Sequence, residues 1–272
     1  MFSPHVSSQC TLLIFPNGLP SICIGIRVHD TLVRILLYAD DGALVAESPQ
    51  DLQRMLDALR EYCGLWRLHV NVKKTKVVVF NPNKSHGCSE FTYDGQQRVK
   101  LDDFKYLGVM FHATRRRAAT IEHRVSQGKR LLAAWVRRCQ MWSMKPAMAS
   151  QMFRTCVMPA LEYSVGLWGA GNFQSVAWQA VETFWRGAAR TILGAPLRTP
   201  SEAVLGDLGW THMWVTGAWQ AVCLWTRVTC MNDDALARKA MHVQRDMFAQ
   251  KQKCWLADLH STLHATDYGR VI

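Results

Sequence analysis

The chain has 272 residues, 49% of them hydrophobic, which is enough to pack one large domain or two small ones. Its nine cysteines are scattered without a Cys-x-x-Cys pair, so no zinc knuckle or disulfide framework is legible and a reducing, intracellular setting is expected. The formal net charge of +11 points to a polyanionic partner, and the uncharged stretch from Val6 to Ile26 is broken by Pro16, Asn17, Gly18 and Pro20, which excludes a spanning helix.

In chain order, the first predicted strand runs from Ile22 to Val28, with His29-Asp30 as its turn into Leu32–Tyr38. The tetrapeptide Tyr38-Ala39-Asp40-Asp41 then separates the apolar runs Ile35-Leu36-Leu37 and Ala43-Leu44-Val45-Ala46, a pattern that predicts a β-hairpin with two carboxylates at its tip. Adjacent carboxylates repel unless something cationic joins them, and two hard oxygen ligands suit Mg²⁺. An ordinary acidic turn would also use Asp-Asp-Gly, so the flanks decide between the two. Ser48-Pro49-Gln50-Asp51 supplies an N-cap, a proline at the first helical position and an acid in the first turn. Leu52, Met55, Leu56, Leu59, Cys63 and Trp66 follow at helical spacing, with Gly64 as the stop. Next come Val70-Asn71-Val72-Lys73-Lys74-Thr75, a strand-like Val77-Val78-Val79-Phe80, a polar loop to Ser89, and short strands near Phe91–Tyr93 and Val99–Leu101. Phe104-Lys105-Tyr106-Leu107-Gly108-Val109 closes this half, and strand-type alternation gives way to helical periodicity near residue 113.

The remainder is basic and helical. Residues 1–113 carry 12 Lys+Arg against 11 Asp+Glu, whereas residues 114–272 carry 20 against 10. Residues 114–154 alone hold 10 basic residues and a single acid, Glu122. Ile121, Val125, Gly128, Leu132, Trp135, Cys139 and Trp142 form one apolar stripe; Lys129, Arg130 and Arg137 fall on the opposite face, and Arg124 and Arg138 flank it. Such a helix can pack on one side and lay its cations along a phosphate backbone on the other. Further helices are predicted at roughly 146–164, 174–193, 212–231 and 233–250. Ten of the eleven tryptophans lie beyond residue 113; the seven-residue spacing of Trp135 and Trp142, and of Trp178 and Trp185, favours helix packing over base stacking. Cys254, His260 and His264 lack a fourth partner for zinc.

The order of acidic hairpin, amphipathic helix, Asn71-x-x-Lys74-Thr75, strand and Phe104–Val109 resembles the palm of reverse transcriptases from non-LTR (LINE-type) retrotransposons. Pro159-Ala160-Leu161-Glu162-Tyr163 with Trp168, and Ile192–Pro196 followed by Thr199–Ala203, resemble the region after that palm, while Cys10–Phe15 with Asn17–Pro20 weakly resembles the end of the helix before the hairpin. The resemblance covers about residues 10 to 230. It implies an α+β chain: a partial polymerase palm over residues 1–113, antiparallel strands with a packed helix, then a basic, thumb-like helical region over 114–272. It also implies RNA-directed DNA polymerase chemistry, with an RNA template, a DNA primer and Mg²⁺ as partners. By the same resemblance Asp40 is the metal-binding carboxylate and Asp41 the less directly ligating one. Tyr38 packs by the primer end, with Ala39 the variable position between. Lys74 helps neutralise or protonate the leaving phosphate, Asn71 helps define its motif, and Lys105, Tyr106 and Gly108 hold the primer strand. Arg124, Lys129, Arg130, Arg137 and Arg138 are the cations expected on the nucleic-acid backbone.

Two departures accompany the resemblance. Gly42 stands where the family has a bulky apolar residue, which is expected to loosen the second hairpin strand. A palm also needs a further aspartate upstream of the hairpin, and Asp30 is the only acid ahead of Tyr38. The chain is therefore expected to hold half a palm and a thumb, without fingers, and to be inactive alone. The alternative expectation is a catalytically incomplete, basic nucleic-acid-binding remnant of a retroelement.

Overall fold

The structure is a computed structural model that describes residues 25–72, 74–80, 90–98, 101–115, 117–139 and 144–265. Backbone packing divides the chain into two units, Met1–Phe104 and Lys105–Ile272. The class is α+β: the described strands form four separate two-stranded pairs, and helices make up most of the rest. Among the described residues no helix is long and apolar enough to cross a membrane.

In the first unit, β1 (Ile26–Val28) pairs antiparallel with β2 (Thr31–Val33) around the His29-Asp30 turn. The predicted run from Leu32 to Tyr38 breaks at Arg34, and β3 (Ile35–Tyr38) pairs instead with β4 (Asp41–Leu44). Helix α1 (Pro49–Leu65) starts where its cap predicts, with the Ser48 hydroxyl accepting from the Asp51 amide at 3.1 Å. Of its buried face, Met55, Leu56, Ala58, Tyr62 and Cys63, all but Met55 fall into two clusters. Ala58, Tyr62 and Cys63 pack with Ile35 and Leu37 of the hairpin, while Leu56 joins Val77, Phe91 and Tyr93. Trp66, counted on that stripe, is 52% exposed because the helix ends before it and the chain turns away.

Two strand expectations change. Val77–Phe80 forms a single bridge residue, Val77, whose carbonyl accepts from the Leu101 amide at 2.9 Å; no ladder continues through residues 78–80. The partner of β5 (Phe91–Tyr93) is β6 (Gln96–Arg98), three residues earlier than expected, because Asp94 (φ 51°) and Gly95 (φ 68°) make a two-residue turn of the type that matches strand twist. Val99 and Lys100 lie outside the described residues, as do Ile22, Lys73 and Trp142. The Gln53 side-chain amide continues the pairing from α1 to β5, donating to the Thr92 carbonyl at 3.0 Å and accepting its amide at 2.9 Å.

The division between the units falls inside β7 (Asp103–Tyr106). β7 pairs with β8 (Val109–His112), and β8 packs on α2 (Arg117–Cys139), so this hairpin goes with the helices. The Thr120 hydroxyl fastens the two by donating to the Met110 carbonyl at 2.6 Å. The helix expected over 146–164 is three pieces: α3 (Pro146–Cys156), α4 (Met158–Glu162) and α5 (Val165–Trp168). Pro159 has no amide to continue α3 and sits instead in the first turn of α4. α6 (Val176–Leu193) is capped by Ser175 and ends at Gly194 (φ 64°), whose neighbour Ala195 donates to the Arg190 carbonyl at 2.9 Å. α7 (Ser201–Asp207), α8 (Met213–Thr229), α9 (Leu236–Ala249) and α10 (Trp255–Ala265) complete the unit.

The core of the second unit is aromatic. Phe153, Trp168, Trp178, Trp185 and Trp210 are each 5% exposed or less, and Trp210 stacks on Trp185 at 4.2 Å and on Phe153 at 5.0 Å. These tryptophans therefore serve packing, as the seven-residue spacing predicts for Trp178 and Trp185.

Candidate active-site hairpin and nucleic-acid surface

The β3–β4 register pairs Ile35 with Leu44, Leu36 with Ala43, Leu37 with Gly42 and Tyr38 with Asp41. Ala39 and Asp40 are left as a two-residue loop, with Ala39 at φ 52°, a conformation side-chain-bearing residues rarely adopt. Alternation turns Ile35 and Leu37 toward α1 and leaves Leu36 and Tyr38 on the open face, Tyr38 64% exposed. Asp40 is exposed at the tip, and Asp41 is the first residue of β4, opposite Tyr38. Gly42 keeps its register opposite Leu37; a Cβ there would meet the Leu37 side chain at 3.3 Å, so the small residue lets Leu37 lie over the second strand.

Asn71 builds a turn. Its backbone carbonyl accepts from the Lys74 and Thr75 amides, both at 3.0 Å, and from the Thr75 hydroxyl at 3.0 Å, while its side-chain oxygen accepts the Lys74 amide at 3.2 Å. Lys74 is thereby fixed by its backbone with its side chain exposed.

The donor chemistry at the hairpin tip fits Mg²⁺, but among the described residues the donors do not complete a site. Among the described residues no three of His, Cys, Asp or Glu lie together where they could hold a metal ion. Asp30 is engaged in its own turn, accepting from the Thr31 hydroxyl at 3.1 Å beside His29. Asp40 and Asp41 can offer carboxylate oxygens, and a two-ion mechanism needs more.

In the second unit, Lys105 is exposed and Tyr106 half-buried, and the turn after them is Leu107 (φ 46°) and Gly108 (φ 82°). Gly108 is required: a Cβ would sit 2.9 Å from the Tyr163 ring, in a backbone conformation that disfavours side chains. The Tyr163 hydroxyl donates to the Leu107 carbonyl at 2.8 Å, and Arg124 donates to the Gly108 carbonyl.

Lys129, Arg130 and Arg137 are exposed on α2 on the face away from its buried stripe, and Arg138, at the flank of that stripe, is exposed as well. Arg124 is a correction to the expected backbone-binding set. It is 4% exposed, lies 4.5 Å over the Tyr163 ring, and is spent on Gly108, Gln127 and Ala160. Its position at the edge of the apolar stripe carried it inward. Burial presses its pKa below the usual guanidinium range, partly offset by Tyr163, and arginine keeps its charge there. The neighbouring His123 is held below the usual imidazole range, first by burial and then by Lys105, Arg124 and Arg130. His123 and the contact role of Tyr163 were not singled out by sequence reasoning; the only trace was Tyr163 closing the Pro159–Tyr163 motif.

Residues 8–111 match the family model described as reverse transcriptase (RNA-dependent DNA polymerase). That span contains the hairpin, the Asn71–Thr75 turn and the Lys105–Gly108 element, and it stops short of α2. The chain is also similar to the retrovirus-related Pol polyprotein from type-2 retrotransposable element R2DM of Drosophila melanogaster, at 26% identity over 186 residues. The match covers 65% of this chain and 17% of that polyprotein, so the chain spans a small part of its relative's length. Residues 8–111 are thus similar to reverse transcriptases, and the wider chain is similar to part of a retrotransposon Pol polyprotein.

Proposed function

We propose that the chain supplies the catalytic hairpin and primer-holding part of an RNA-directed DNA polymerase, together with a basic helical region that grips the template–primer backbone. The observation that carries this reading is the exposed Asp40 tip on a two-residue hairpin turn, inside the segment that matches reverse transcriptases. In this reading residues 1–113 act as part of a polymerase palm and residues 114–272 as a thumb. Asp40 and Asp41 contribute carboxylate ligands for Mg²⁺ at the primer end, and Tyr38 packs beside that end on the open hairpin face. Lys74 offers its ammonium to the leaving phosphate. Lys105, Tyr106 and Gly108 form the turn that holds the primer strand, and Lys129, Arg130, Arg137 and Arg138 lie along phosphates.

A second reading is favoured by one observation, the short ligand set at the hairpin: as this polypeptide alone, the chain binds nucleic acid without extending it. A primer-extension assay on an RNA template with Mg²⁺ and deoxynucleotides, run beside Asp40→Asn, tests both. The expected result is salt-sensitive binding of the primer–template and no extension product. Template-dependent product that disappears in Asp40→Asn would establish polymerase activity for the chain alone and remove the second reading. Absence of any binding would remove both.

A further inference from the structure

The turn at Leu107-Gly108 is held by side chains that come from elsewhere in its own unit. Two successive carbonyls are each taken: Leu107 by the Tyr163 hydroxyl at 2.8 Å, Gly108 by the Arg124 guanidinium. The two side chains also lock each other, with the guanidinium carbon 4.5 Å from the Tyr163 ring centre. Arg124 also donates to a third carbonyl, that of Ala160, at 3.5 Å, and to the Gln127 side-chain oxygen at 2.9 Å. Both central residues of the turn have positive φ, which is unfavourable for Leu107 and persists only where surroundings impose it.

Arg124 is the unusual member. At 4% exposure it is a buried cation, and among the described residues no carboxylate pairs with it. A leucine or methionine would fill the same space without the cost of taking a charge from water. What the arginine adds is a planar fork that donates to several carbonyls and lies flat on an aromatic face. Those are properties for fixing backbone, and the backbone fixed is the two residues after Lys105 and Tyr106.

We infer that Arg124 and Tyr163 are positioning residues that set the Lys105–Gly108 turn in the shape that places Lys105 on a primer phosphate. The inference rests on the reading of this turn as the primer-holding element, and neither residue touches nucleic acid. Lys105 lies close enough to α2 for His123 to feel its charge, together with that of Arg124 and Arg130.

The test compares a substitution that removes a charge with others that preserve it, all in the full chain. Affinity for a fluorescent DNA primer annealed to an RNA template is measured across a salt series for wild type, Lys105→Ala, Tyr163→Phe, Arg124→Lys and the Lys105→Ala/Tyr163→Phe pair. Lys105→Ala is expected to reduce the log–log salt slope by about 0.7–0.9, one phosphate contact. Tyr163→Phe is expected to reduce it by about a third of that or more, although it removes no charge, and the double variant is expected to match Lys105→Ala alone. Arg124→Lys is expected to behave like Tyr163→Phe; should it fail to fold, Tyr163→Phe decides, since its side chain is 47% exposed and the change keeps the ring. If Lys105→Ala lowers the slope while Tyr163→Phe stays at the wild-type value, or if the two effects add, the positioning inference is overturned. If Lys105→Ala itself has no effect, the primer-holding reading fails first and the inference falls with it.

Discussion

Replacing Trp210 by phenylalanine separates the two uses open to the tryptophans of the second unit. Trp210 is 5% exposed, stacks 4.2 Å from Trp185 and 5.0 Å from Phe153, and donates its indole N–H to the Ser150 hydroxyl at 3.0 Å. Phenylalanine keeps one ring in the stack. It removes the hydrogen bond, about 1 kcal/mol net, and about 40 Å² of buried ring, worth about 1 kcal/mol at 25 cal/mol per Å². The expected destabilisation is therefore about 2 kcal/mol, with some addition from the space left behind. In urea, with m of about 1–3 kcal/mol per M, the midpoint should fall by about 1 M. Circular dichroism at 222 nm reports the transition, and anisotropy of a labelled primer–template reports binding in buffer. Affinity of the folded variant should match wild type. An unchanged midpoint with affinity reduced about 5-fold or more, the loss of a base-stacking contact, would refute the packing account.

Other outcomes follow from single features. Neutralising Lys129, Arg130, Arg137 and Arg138 together with glutamine should lower the salt slope of duplex binding by up to about 3.6, as measured by anisotropy, with little change in unfolding midpoint. Ser48→Ala removes the α1 cap that accepts from the Asp51 amide and should cost about 0.5–2 kcal/mol in chemical unfolding of the first unit. His123 is held below the ordinary imidazole range when folded, so the unfolded chain takes up its proton first as pH falls. Stability from neutral His123 is complete above about pH 6.5 and declines as pH drops from there toward the folded value. The fall in melting temperature between pH 7 and pH 5 should therefore be smaller in His123→Gln than in wild type.

Much of the site was legible because it is written locally. An acidic break between apolar runs and a Ser-Pro cap each act within a few residues, and each stands where its chemistry predicts; Gly64, expected as the stop of α1, lies inside its last turn, the helix running on to Leu65. The Asp94-Gly95 turn was equally local; giving it the weight its φ > 0 preference carries would have moved the following strand from 99–101 to 96–98. Val77–Phe80 has strong β propensity but only Val77 is engaged in a bridge, since propensity does not supply a partner strand. Arg124 was hardest to read. On the helical wheel it differs little from Arg138, which is exposed, and its fate depends on Tyr163, far along the chain, arriving beside it. Helix periodicity identifies a flank; only tertiary packing decides whether a residue there meets water or the interior.

In the proposed reading the Tyr38–Asp41 tip faces the growing end of a primer. This placement is tested most directly by putting a photoreactive nucleotide at the primer 3′ terminus of an RNA–DNA template–primer, irradiating the complex with the full chain, and mapping the adduct by mass spectrometry. Crosslinking is expected to the hairpin peptide that contains Tyr38, exposed on the open face beside Asp40 and Asp41, with loss of that adduct when the reactive group is moved about ten nucleotides upstream, roughly one turn of the A-form-like heteroduplex. Adducts confined to residues 117–265, with the hairpin peptide unmodified, would rule this placement out.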